Sequence, residues 1–179
     1  TLDLEGSAVA QSDMRPTHAA IAAILPRFTG PIDQVPPAYS ALKVDGTRAY
    51  DLARRGDAVT LATRPVTIHT LTLGATDGES ATLTACVSKG TYIRSLARDI
   101  AHALGTLGHV TYLRRIKAGP FLQQQAISLD ILEEIGRGAA LKDHLLPLEA
   151  GLDGILALSL DPESAQAVRQ GRVISGLPN

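Results

Sequence analysis

Tryptophan is absent and phenylalanine occurs only twice in this chain of 179 residues, so its core must be built from aliphatic side chains and alanine. One cysteine, Cys86, excludes an internal disulfide and fits a reducing compartment. Its place in a strand pattern, with no base beside it in sequence, predicts a buried thiol. No run reaches the roughly 18 apolar residues of a membrane span, and no signal-peptide pattern opens the chain. The expectation is a soluble, cytoplasmic monomer. His69, His102, His109 and His144 have no ligand-like spacing, so no metal site is expected. The length suits one domain with a sizeable core and part of a second.

The net charge of −1 conceals a pattern. Residues 89–117 carry Lys89, Arg94, Arg98, Arg114, Arg115 and Lys117 against Asp99 alone, and residues 43–64 carry five basic groups against three acidic ones. The remaining segments are acidic. Two basic stretches on an otherwise acidic chain suit a polyanion held locally.

Between Ser88 and Arg94 the period of the sequence changes. Upstream, Ala81, Leu83, Ala85 and Val87 alternate with polar residues, as in a half-buried strand from Ser80 to Ser88. Downstream, Ile93, Leu96, Ala97, Ile100 and Leu104 recur at helical spacing, with Gly90 at the corner, Thr91 as N-cap and Gly105 as C-cap. Such a junction offers backbone N–H groups to an anion beside Lys89. Arg94 flanks the apolar stripe, where a guanidinium needs a carboxylate or phosphate partner. A structural salt bridge and a functional pairing are both consistent with that position.

Elsewhere, Ser7–Gln11 reads as a strand, Thr17 caps a helix ended by Pro26, and 28–37 has the Gly and Pro content of a loop. Residues 39–44 read as a strand, Asp45-Gly46 as a turn and 47–55 as a helix stopped by Gly56. This 38–64 segment is an insertion with little apolar material, either a solvated excursion or a nucleic-acid clamp. Pro65–Leu73 changes phase near Thr70, which predicts a bulge, and Asp77-Gly78 makes the next hairpin. His109–Lys117 alternates as a strand, Ser128 caps a helix to about Ile135, and a Pro-broken apolar segment covers 141–152. Leu156–Leu160 reads as a strand, Pro162–Gln170 as a helix stopped by Gly171, and Arg172–Ile174 as a new strand.

Four motifs then stand in order. They are Phe28-x-Gly30-x-Ile32-x-Gln34-x-Pro36-x-x-Tyr39-Ser40-Ala41-Leu42-Lys43-x-x-Gly46; Ala53-Arg54-x-Gly56 with Arg64-Pro65-Val66; Ser88 to Arg94; and Tyr112-Leu113-Arg114-Arg115. Together they resemble the bacterial tRNA pseudouridine synthase B family, the tRNA pseudouridine-55 synthases, over about residues 1–175. The resemblance implies a mixed α/β (α+β) catalytic domain around a mainly antiparallel sheet, at 1–152. A thumb-like RNA-binding insertion falls at about 38–64, and a C-terminal RNA-binding domain starts at 153–179. It implies isomerisation of one uridine in the tRNA T-arm, with no cofactor, no metal and no membrane. An aspartate drives cleavage of the glycosidic bond, the uracil turns, and a C–C bond forms.

By the same resemblance Arg94 pairs with the catalytic aspartate, Tyr92 contacts the flipped nucleotide and Leu113 packs against its base. Tyr39, Lys43, Arg48 and Lys89 are the candidate RNA-binding residues. The family's Gly-x-Leu-Asp-Pro motif is not matched: Leu4 stands where the proline would follow Asp3, and no catalytic role is transferred to Asp3. The chain therefore reads as a fragment cut at both ends and inactive alone. A second class, an RNA-binding or tRNA-folding module without chemistry, stays open.

Overall fold

The structure is a computed structural model and describes residues 1–136, 139–152 and 155–174. It is mixed α/β with antiparallel sheets, and by packing it divides into two compact units, Thr1–Leu113 and Arg114–Asn179.

In the first unit, Thr17 accepts a hydrogen bond from Ala20 N and starts helix α1 (His18–Ile24), which runs into a 3-10 turn, Leu25–Phe28. Strand β1 (Gly30–Gln34) follows, then a two-residue hairpin, β2 (Lys43–Val44) and β3 (Thr47–Arg48). Asp45 and Gly46 between them have φ of 49° and 84°, the double positive φ that tight hairpins require. Helix α2 (Ala49–Arg54) ends before Gly56, whose φ is 85°. The long strand β4 (Arg64–Thr76) lies between β1 and β5 (Ala81–Val87), antiparallel to both. Helix α3 (Ile93–Ala103) completes the unit.

The core is aliphatic. Ile21, Ile24 and Leu25 meet Ile68, Leu96 and Ile100, with Leu71, Leu73, Leu83 and Val87 packed around them. The register explains how one strand contributes both of its phases. Ile68 faces Val87 while Thr70 faces Cys86, so His69 is the extra residue of a bulge. The bulge turns Leu71 and Leu73 to the same face as Val66 and Ile68.

Several local expectations are corrected. Cys86 is exposed, because the inward face of β5 takes Leu83, Ala85 and Val87 and leaves Thr84 and Cys86 outside. Residues 30–34 form a strand instead of a loop; β1 is an edge strand, where Pro31 is tolerated. Ser7–Gln11, Leu156–Leu160 and Arg172–Ile174 pair with no strand among the described residues and are irregular. Of 39–44 only Lys43–Val44 pairs, and Thr47–Arg48 belongs to the hairpin instead of the helix. His109–Lys117 is not a strand: only Val110 bridges Asp3, and Lys117 starts a separate hairpin. Tyr92, not Thr91, occupies the N-cap of α3, because the Thr91 hydroxyl donates to Ser88 O at 2.9 Å.

The second unit holds hairpin β6 (Lys117–Ala118) and β7 (Phe121–Leu122), helix α4 (Leu129–Gly136) and helix α5 (Pro162–Arg169). Ser128 Oγ accepts from Ile131 N and Asp161 from Ser164 N, so both helices start on side-chain caps. Outside residues 137–141, 153–154 and 175–179, none of its residues is fully buried. The domain boundary expected at 152/153 adjoins residues 153 and 154, and the expected further domain runs into 175–179; all of these lie outside the described residues. Among the described residues no helix is long and apolar enough to cross a membrane.

Ile68→Ala is expected to lower unfolding stability by about 2–5 kcal/mol, the loss of a fully buried side chain plus its cavity. Cys86→Ser should change it by less than about 0.5 kcal/mol. Chemical denaturation of the two variants checks the assigned faces; a larger loss for Cys86→Ser than for Ile68→Ala would reverse them.

Candidate nucleotide site at the start of the Arg94 helix

Helix α3 is moored by its first turn and not by an ordinary cap. Gln34, at the end of β1 and 1% exposed, accepts from Tyr92 N through Oε1 at 2.8 Å. One turn on, Ser95 Oγ and Arg98 Nη2 both donate to Val35 O, at 2.8 and 3.0 Å. These bonds fix the chain leaving β1 against the helix. Thr91 N donates to Ser88 O, so two of the junction N–H groups expected to serve an anion are already engaged.

Arg94 projects from this turn and ties three segments together. Nη1 donates to Asp3 Oδ2 and to Thr1 O, both at 3.1 Å, and Nη2 donates to Tyr39 O at 2.9 Å. A guanidinium carries five N–H donors, so two are left without a partner among the described residues. The pair is partly shielded, with 26% of the Arg94 side chain and 32% of the Asp3 side chain exposed. The Thr1 hydroxyl and then the Arg94 guanidinium hold the Asp3 carboxyl below its ordinary value, against the opposing effect of burial.

Around this pair opens a cleft of about 450 Å³ lined by Tyr39, Ser40, Tyr92, Arg94, Asp3 and, from α2, Tyr50 and Arg54. Tyr50 N donates to Ser40 O at 3.0 Å, which docks α2 on the loop that Arg94 holds. The guanidinium of Arg54 lies over the Tyr50 ring at 5.3 Å and that of Arg48 at 5.7 Å, within cation–π range. Arg48 Nη1 also donates to the Tyr50 hydroxyl at 3.0 Å. Lys43 and Arg48 face each other directly across β2 and β3, two exposed like charges in register. Such a pair is unfavourable until an anion lies across it.

The structure thus gathers Arg94, Tyr92 and Tyr39 into one cleft. Lys43, Arg48, Lys89 and Leu113 are outside its lining; Lys89 is exposed beyond β5, and Leu113 is 61% exposed at the end of the first unit. Sequence reasoning missed Ser40, Tyr50 and Arg54. The spacing of Tyr50 and Arg54, four residues apart on a short helix, was the available signal. Among the described residues no three His, Cys, Asp or Glu side chains gather as metal ligands would.

Comparison with known proteins gives this cleft its context. The description "TruB family pseudouridylate synthase (N terminal domain)" matches residues 1–93, more than half of the chain, and "tRNA pseudouridylate synthase B C-terminal domain" matches residues 94–153. The chain belongs to the TruB family. Relatives named tRNA pseudouridine synthase B are 66% identical in Novosphingobium aromaticivorans, 54% in Zymomonas mobilis and 49% in Caulobacter vibrioides, each over 99% of this chain. This TruB chain spans 60% of the first of these relatives and 58% of the other two. Among solved structures it is similar to one titled "Crystal Structure of a Cbf5-Nop10-Gar1 Complex", with a TM-score of 0.58 and 26% identity over 79% of this chain and 40% of that one. A second, of an H/ACA RNP bound to a substrate RNA containing 2′-deoxyuridine, has a TM-score of 0.55 and 22% identity over 79% and 38%, a likeness of fold.

The Asp3 pair gives a pH signature. A carboxyl whose folded pKa is lowered contributes stability above its unfolded value, near 3.8, and loses it as pH falls through the folded one. The thermal stability of the parent should therefore exceed that of Asp3→Asn at neutral pH, and the gap should close as pH falls through and below about 4. A gap unchanged at about pH 3 would remove the ion pair as its cause.

Proposed function

We propose that this chain is the arginine-bearing part of a tRNA pseudouridine synthase that isomerises one uridine of the T-arm, without cofactor or metal. One observation carries the reading: a guanidinium fixed by three hydrogen bonds, with two donors in reserve, at the floor of a cleft walled by Tyr39, Tyr92 and Tyr50. Taking a base out of its stack costs a few kcal/mol, and aromatic walls and polar groups at the destination offset that cost.

In this reading Arg94 uses its spare donors to hold the catalytic aspartate supplied by the family's Leu-Asp-Pro motif. Asp3 is a positioning residue for Arg94 and not the nucleophile. Tyr92 contacts the flipped nucleotide, Tyr39 borders it, and Leu113 packs against the base. Exposure of Leu113 supports a contact made outside the described core. Lys43 and Arg48, held side by side on the hairpin, take phosphate, and Lys89 adds a further contact to RNA. The 38–64 insertion is the thumb of a catalytic region at 1–152, followed at 153–179 by the start of an RNA-binding domain. The parent enzyme works as a cytoplasmic monomer.

In the complete synthase carrying this segment, Arg94→Lys should lower turnover at least about tenfold while tRNA affinity persists, because an ammonium cannot hold two carboxylates and two carbonyls at fixed angles. Single-turnover pseudouridine formation measures it, and a rate within twofold of the parent would remove Arg94 from the reaction.

Replacing Lys43 and Arg48 together by alanine should weaken tRNA binding and flatten the slope of log affinity against log salt by about 1.5, as two phosphate contacts are lost. Folding stability should hardly change, since exposed charges contribute little. Superimposable salt series would make the hairpin a solvated excursion.

A further inference from the structure

Ser40 lines the cleft, and the functional reading gives its side chain no role. It is 4% exposed, and its backbone is fully engaged: its N–H donates to Ala38 O and its carbonyl accepts from Tyr50 N, each at 3.0 Å. Its hydroxyl is buried with no hydrogen-bond partner among the described residues, yet the residue lines the cleft beside Asp3, Tyr39, Tyr92 and Arg94. The second carboxylate oxygen of Asp3, Oδ1, is in the same condition on the same cleft. A buried hydroxyl without a partner is costly, and alanine would occupy the same backbone without that cost. The loop is held in place by Arg94 and α2 through the backbone of Tyr39 and Ser40, so the hydroxyl is not needed to hold it.

We propose that the Ser40 hydroxyl binds the target nucleotide directly. This rests on the reading given above. A serine hydroxyl donates or accepts, so either the imide edge of uracil, through N3–H or a carbonyl, or a ribose 2′-hydroxyl would complete it.

The test uses the complete synthase carrying this segment, its Ser40→Ala variant, and two T-arm stem-loops differing only in uridine or 2′-deoxyuridine at the target position. Single-turnover rate, apparent affinity and thermal unfolding are read for each. Expected is a five- to fifteenfold loss in rate or affinity for Ser40→Ala on the uridine substrate, about one neutral hydrogen bond, with an unfolding temperature equal to or above the parent's. A loss that vanishes on the 2′-deoxyuridine substrate assigns the contact to the ribose; a loss that persists assigns it to the base. Rate and affinity within twofold of the parent would overturn the proposal, as would a lowered unfolding temperature, which would make the hydroxyl a structural contact. If the unsubstituted enzyme forms no pseudouridine, the functional reading itself falls, a result separate from both.

Discussion

Arg94 is the interaction on which the site depends. It draws Thr1 and Asp3, the loop at Tyr39 and helix α3 to one point, and none of these is joined to the others by a shared sheet. Its own position comes from the bonds that moor the helix, in which Gln34, Ser95 and Arg98 fasten the first two turns to the end of β1. The sheet therefore sets the helix, the helix sets the arginine, and the arginine sets the cleft. Partial burial makes the arrangement more than a surface pair: the Asp3–Arg94 bond at 3.1 Å is shielded on both sides, while Arg15–Glu79 at the same distance lies largely in solvent.

The cleft joins two kinds of element. The floor is rigid, built on α3 and fastened to the aliphatic core through Leu96 and Ile100. The wall from the insertion is lighter: a two-residue hairpin, a short helix and the fully buried Ala49, whose N–H donates to Leu42 O at 2.7 Å. This wall carries exposed cations and an aromatic ring, and little core would have to be broken for it to move.

What was legible in the sequence follows the strength of local signals. The period change at Gly90, the caps at Thr17 and Ser128, the Asp45-Gly46 turn and the bulge near Thr70 were each written in a few neighbouring residues, and the structure has them. The short strands at Ser7–Gln11, Leu156–Leu160 and Arg172–Ile174 were not, because alternation over three to five residues makes a strand only where a partner exists. Residues 30–34 failed in the opposite sense. Their Gly and Pro content suggested a loop, but an edge position beside β4 accommodates both. Arg94's need for a carboxylate or phosphate partner was readable from its place beside the apolar stripe; that Asp3 meets it was not, because the contact spans 91 residues. Ser40 stood in a quoted motif and Tyr50 in a helical spacing, but neither was given a site role, because only the folded chain brings them into one cleft with Arg94.

The central claim is that Asp3 acts through Arg94, and a double-mutant cycle in the complete synthase tests it directly. Single-turnover rates for the parent, Asp3→Asn, Arg94→Lys and the double variant give the coupling between the two side chains. If Asp3 serves only to hold the guanidinium, the double variant should be no slower than Arg94→Lys alone, within about twofold. Rate losses that multiply in the double variant would show two independent residues and contradict the account.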